Sequence, residues 1–88
     1  MRIKDGFVLR EVAGNYVVIA LGEDALDFNS VITLNEIGAL IWNGLLEENN
    51  KEQIIKKILS EYAIDEETAT GDFNEFVGQL RELNIIED

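Results

Sequence analysis

The chain contains no cysteine, no histidine and no proline. Without cysteine there is no disulfide framework, no thiolate metal site and no nucleophilic thiol. Without histidine the commonest general base and the commonest metal ligand are both missing, which leaves carboxylates, lysine and tyrosine as the only acid–base groups. The expectation is a protein that is not an enzyme and uses no cofactor and no metal. No apolar run approaches the length of a membrane span. The segment Met1-Arg2-Ile3-Lys4-Asp5-Gly6 lacks the apolar centre of a secretory signal, so a cytoplasmic location is the default reading. The seven glycines form neither a G-x-G-x-x-G fingerprint nor a phosphate-binding P-loop. The acidic clusters Glu23-Asp24-x-x-Asp27 and Asp65-Glu66-Glu67 lack the alternating ligands and central glycine of a calcium loop. One reads as a solvated loop and the other as the start of a helix.

Positive charge is also scarce. Eighteen acidic residues face seven basic ones, for a formal net charge of −11. From Glu61 to Asp88 nine acidic residues stand against Arg81 alone. Such a surface repels phosphate backbones, which disfavours nucleic acid and anionic membranes as partners. It favours solubility and steers a basic partner toward the chain.

What is present is enough for one small domain. Eighty-eight residues leave room for a single core. Phe7-Val8-Leu9-Arg10-Glu11-Val12 and Tyr16-Val17-Val18-Ile19-Ala20-Leu21 are rich in β-branched and aromatic residues, and Ala13-Gly14-Asn15 between them suits a tight hairpin turn. Residues 22–30 read as a loop in which Phe28 is the one large apolar side chain. A third short strand follows over residues 31–34. The remainder carries helical periodicity over about 35–46, 51–62 and 66–84. Asn50 with Gln53 suits a cap for the second helix, and Glu66 and Glu67 suit the first turn of the third. Ile85-Ile86 reads as an apolar tail folding back.

The junction between third strand and first helix is dense in signals. Thr33 and Glu36 have capping-box spacing, and Ile37, Leu40, Ile41 and Leu45 follow at helical intervals with Trp42 on the shoulder. Trp42 reads as core filling at the helix edge. Gly44 falls on the buried arc, where glycine costs about 1 kcal/mol against alanine, so a close neighbour is expected there. Gly78 projects away from the apolar face of its helix.

A three-stranded meander cannot bury its apolar face alone, so the helices must cover it, and an α+β domain with strands segregated from helices results. In a simple meander the third strand lies at an edge. Val31, Ile32 and Thr33 would then present unpaired backbone groups, with no lysine or proline to guard them. On the third helix Phe73, Phe76, Val77, Leu80 and Leu83 form a wide stripe. One shoulder of it, Phe76 and Leu83 beside Asp72 and Gln79, is placed to line a groove against that strand. A winged-helix DNA-binding regulator is the competing reading, but Asp72, Glu75 and Glu82 against Arg81 make a poor recognition helix.

Leu34-Asn35-Glu36-x-Gly38-Ala39-x-Ile41-Trp42 resembles the signature of the PqqD family, named for pyrroloquinoline-quinone synthesis protein D. Leu9-Arg10-Glu11 before the Gly14 turn, Glu61-Tyr62 at the end of the second helix, and Ala69-x-x-Asp72 with Phe76 and Leu80 extend the likeness over nearly the whole chain. Ala20 and Ser30 depart from the proline and glycine frequent at those places. The resemblance implies a winged-helix-like, stand-alone recognition element for ribosomally synthesised, post-translationally modified peptides. Such a domain binds the leader of a precursor peptide as an added strand and presents it to a maturation enzyme, commonly a radical SAM enzyme. A leader-binding partner of a peptidase in lasso-peptide assembly is the alternative within the same class. The implied peptide-binding residues are Val31, Ile32, Thr33, Asp72, Phe76, Gln79 and Leu83. A proline at Ile32 is expected to remove a backbone donor from the edge. Monomer or weak homodimer is the expected state.

Overall fold

The computed structural model describes residues 1–21 and 32–87. The 22–30 loop with Phe28 and Ser30, and Val31 of the expected third strand, lie outside the described residues. The chain order is β1 (Arg2–Ile3), β2 (Phe7–Val12), β3 (Asn15–Ala20), β4 (Ile32–Leu34), α1 (Glu36–Leu46), α2 (Lys51–Glu61), α3 (Glu66–Glu82) and β5 (Ile86–Glu87). Strands β2, β3 and β4 form an antiparallel sheet in that order, and three helices follow it, so the α+β expectation holds. The β2–β3 turn comprises Ala13 and Gly14, both at positive φ, the two-residue hairpin loop that matches the twist of its strands.

A second, two-stranded sheet was not legible in the sequence. β1 pairs antiparallel with β5, setting Arg2 opposite Glu87 and Ile3 opposite Ile86. The tail reaches β1 because α3 ends sharply. Asn84 takes a positive φ, its amide donates to the Arg81 carbonyl, and the Ile85 amide donates back to Leu80. This termination turns Ile85 and Ile86 into the core, the folding-back expected of the tail. It also leaves Leu83, expected on the buried stripe, 36% exposed as the C-cap.

Helix starts follow the caps with one correction. Asn50 and Gln53 form the expected reciprocal capping box, each side chain accepting from the other's amide at 2.8 Å. Asp65 accepts from the Thr68 amide at 2.7 Å, and hydrogen bonding from the Thr68 side chain first, then from that amide, lowers its carboxyl from the ordinary value. At α1, however, the cap is Asn35, whose Oδ1 accepts from the Gly38 amide at 2.7 Å. Thr33 does not serve, because β4 continues through Leu34, which pairs with Tyr16. The ladder holds Thr33 too early in the chain to cap.

The core lies between the β2–β3–β4 sheet and the helices. Val18, Ile32 and Leu34 from the sheet meet Ile41, Trp42 and Leu45 of α1, Ile54 and Ile58 of α2, and Phe73, Val77 and Leu80 of α3. Trp42 sits in this core, fully buried, rather than at the helix edge. Among the described residues its indole N–H has no hydrogen-bond partner, and burial of a ring this large offsets the cost of about 1–3 kcal/mol that an unpaired buried donor carries. Ile37 and Leu40 are only partly buried, because both lie on the margin of the helix face that Gly38, Ile41, Trp42 and Leu45 bury.

Gly44 has the close neighbour its position implied. A Cβ there would lie 2.8 Å from Ile54 Cγ1 and 3.1 Å from Cδ1, so the α1–α2 approach excludes a methyl group. A Cβ at Gly78 would meet nothing within 4 Å. Gly44→Ala should therefore lose about 1 kcal/mol or more despite its better helix propensity, while Gly78→Ala gains up to about 1 kcal/mol. Urea midpoints of the two variants check the opposite signs. The cap assignment is checked in the same assay: Asn35→Ala should cost about 1 kcal/mol, and Thr33→Val should stay within about 0.5 kcal/mol.

Candidate functional site

Among the described residues β4 pairs only with β3, so one side of it is an open sheet edge. Which residues face that edge follows from the alternation of an antiparallel ladder. The Leu21 amide donates to the Gly6 carbonyl at 2.7 Å, so the bonded pairs of the hairpin are 6/21, 8/19, 10/17 and 12/15. Residues 15, 17, 19 and 21 thus turn their backbone groups toward β2. Tyr16 and Val18 turn theirs toward β4, where they meet Leu34 and Ile32. The backbone groups of Thr33 then point outward to the open edge.

This assigns distinct roles to residues that look equivalent in the sequence. Ile32 and Leu34 are buried side chains with their backbone committed to β3; Thr33 is exposed, and its backbone groups hydrogen-bond to no strand among the described residues. The donor expected at Ile32 is therefore at Thr33. Val31 lies outside the described residues.

Where β4 ends, a concavity of about 170 Å³ opens between α1 and α3. Asn35, Ile37, Gly38 and Ile41 line one side, and Asp72, Glu75, Phe76 and Gln79 the other. Asn35 belongs to both features, as the residue after the strand and as part of the groove wall. Gly38, the third residue of α1, puts no side chain on the wall that faces Phe76. A Cβ at Gly38 would stand 3.3 Å from both Leu34 Cβ and Asn35 Oδ1, and 3.6 Å from the Phe76 ring. Phe76 and the partly buried Ile37 make the groove's apolar floor, with the fully buried Ile41 behind them, and Asp72, Glu75 and Gln79 form the rim.

Of the residues expected to bind peptide, the structure brings Asp72, Phe76 and Gln79 together in this groove. Leu83 continues the same stripe of α3, at the spacing 72, 76, 79, 83, but does not line the cavity. Asn35, Ile37, Gly38, Ile41 and Glu75 were not singled out from the sequence as site residues. A glycine three residues after a helix cap is the signal that could have pointed to the first four.

A second concavity lies on the other side of α1, lined by Tyr16, Glu36, Leu40, Asn43, Lys57, Glu61 and Tyr62 among others. Desolvation first, and then the Glu36 and Glu61 carboxylates, push the Tyr62 phenol above its ordinary value. Among the described residues no three carboxylates are grouped to hold a metal ion, and no helix is long and apolar enough to cross a membrane.

The family model described as "Coenzyme PQQ synthesis protein D (PqqD)" matches residues 8–86. The chain belongs to the PqqD family. The matched span runs from β2 into β5 and takes in the open edge and the groove, leaving β1 before it. Two solved structures are similar to this PqqD-family chain. One, described as "TbiB1 in Complex with the TbiA(beta) Leader Peptide", is 26% identical over 99% of this chain and 95% of that one, with a TM-score of 0.79. The other, "Lasso peptide synthetase B1 complexed with the leader peptide", is 22% identical over 92% of this chain and 89% of that one, with a TM-score of 0.74, and at that identity speaks to the fold alone. No curated protein matches the chain.

The groove residues of this PqqD-family domain divide into those that hold the fold and those free to serve a ligand. Phe76→Ala should cost about 3 kcal/mol, because the ring is buried in the core as well as at the groove floor. Asp72→Asn and Gln79→Ala should each stay within about 0.5 kcal/mol. Thermal or urea unfolding measures the difference.

Proposed function

We propose that this chain is a non-catalytic adaptor that binds the leader segment of a ribosomally synthesised precursor peptide by strand addition. The observation that carries the reading is the continuity of the Thr33 edge with the α1–α3 groove through Asn35. An extended peptide pairing with Thr33 gains main-chain hydrogen bonds, and its alternate side chains fall toward the helices, where the groove supplies selectivity. Support comes from a solved structure of similar fold, TbiB1, which is held with a leader peptide. The lack of histidine and cysteine favours an adaptor over a catalyst.

The bound leader would be presented to a maturation enzyme, and the family resemblance favours a radical SAM enzyme in that role. A leader peptidase is the other outcome of the same experiment, in which each enzyme encoded beside the chain is tested for co-elution with the adaptor–leader complex. A DNA-binding role finds no support in α3, where Glu66, Glu67, Asp72, Glu75 and Glu82 stand against Arg81 alone.

Strand addition predicts a specific asymmetry between adjacent residues. Proline is tolerated on edge strands where its nitrogen faces outward. Thr33→Pro should therefore fold yet lose leader binding by roughly tenfold or more, the equivalent of one net main-chain hydrogen bond of about 1–1.5 kcal/mol plus the obstruction of pairing. Thr33→Val, which keeps the amide, should bind like the parent. Ile32→Pro breaks a ladder bond to β3 and should lower stability itself. Calorimetric titration with the leader of the precursor encoded beside the chain measures this; full binding by a folded Thr33→Pro protein would exclude strand addition at β4.

A further inference from the structure

We infer that the peptide segment this groove selects carries an apolar side chain with a lysine or arginine two residues away. The inference rests on the strand-addition reading and adds the chemistry of the ligand.

The groove's charge is one-sided. Its eight lining residues include the carboxylates Asp72 and Glu75, about one helical turn apart on α3, and no lysine or arginine. Arg2 pairs with Asp5 and Glu87 at the far end of the chain, and neither Asp72 nor Glu75 takes part in those ion pairs. The concavity on the other side of α1 differs, since Lys57 stands there with Glu36 and Glu61 and supplies a cation from within. No such cation lines the α1–α3 groove, which leaves both carboxylates available to a cation on the ligand.

The apolar part of the selection comes from the floor. Phe76 is 8% exposed and Ile37 partly buried, with the fully buried Ile41 behind them, and Gly38 puts no side chain between α1 and the Phe76 ring. A concavity of about 170 Å³ admits one aliphatic or aromatic side chain and little more. Side chains of an added strand reach the same face at every second residue, about 6.6–6.8 Å apart. An apolar side chain over Phe76 therefore places its neighbour two residues away near the rim, where Asp72 and Glu75 stand beside the floor. A carboxylate at that position would meet two like charges. A guanidinium or ammonium would meet two partners, in the field of a helix with five acidic residues and one basic.

Selection from a displayed random peptide library tests this whatever the sequence of the precursor. The parent protein should enrich peptides with lysine or arginine two positions from an apolar residue. An Asp72→Asn/Glu75→Gln variant should keep the apolar preference and lose the basic one. Selected peptides should bind that variant roughly tenfold more weakly, since each partly exposed charge contact contributes only a few-fold. Their affinity for the parent should fall with added salt, and salt should barely affect the variant. Enrichment of apolar residues with no basic preference, or an equal basic preference in the variant, would overturn the charge selection and leave strand addition standing. Selected peptides that bind Thr33→Pro as well as the parent would remove strand addition and this inference together, as would a library from which nothing is enriched.

Discussion

The hydrogen bond from the Gly38 amide to the Asn35 side chain, 2.7 Å long, is the constraint on which the groove depends. It ends β4 and starts α1 with no connecting loop, which fixes the direction in which the helix leaves the sheet. That direction brings the first turn of α1 against α3, with Gly38 over Phe76 and the strand edge running directly into the gap. Leu34, one residue earlier, is buried and paired with Tyr16, so the junction is anchored on both sides.

Much of this architecture is legible in the sequence because it is local. The β2–β3 hairpin announces itself by β-branched runs around a glycine turn, and the Asn50–Gln53 box marks the start of α2. Spacing alone misplaces the cap of α1, because Thr33 and Glu36 satisfy the same rule as a true box. Only the pairing of Leu34 with Tyr16, a tertiary fact, moves the cap to Asn35. The β1–β5 pair is invisible for a different reason: two residues carry no period, and their partners lie at opposite ends of the chain. A helical wheel sets Trp42 at an edge, since it carries no information on where α2 and α3 approach.

The site divides the same way. Asp72, Phe76 and Gln79 can be read from one helix, since they share a stripe. The facing wall cannot, because Asn35, Ile37, Gly38 and Ile41 become a wall only when α1 packs on α3. Leu83 shares the stripe but lies beyond the cavity, where the helix has ended. The fold thus separates two functions along one short strand. Ile32 and Leu34 hold the sheet and core, and Thr33 between them has its backbone turned to the open edge.

That separation is the central claim, and amide hydrogen exchange measured residue by residue by NMR tests it most directly. In the free protein the Ile32 and Leu34 amides should be protected and the Thr33 amide should exchange quickly, since only the first two are bonded to β3. Saturating leader peptide should slow exchange at Thr33 while leaving Ile32 and Leu34 little changed. A bound leader that leaves Thr33 exchanging as fast as before would contradict the account, as would a free protein in which Thr33 is already the protected amide.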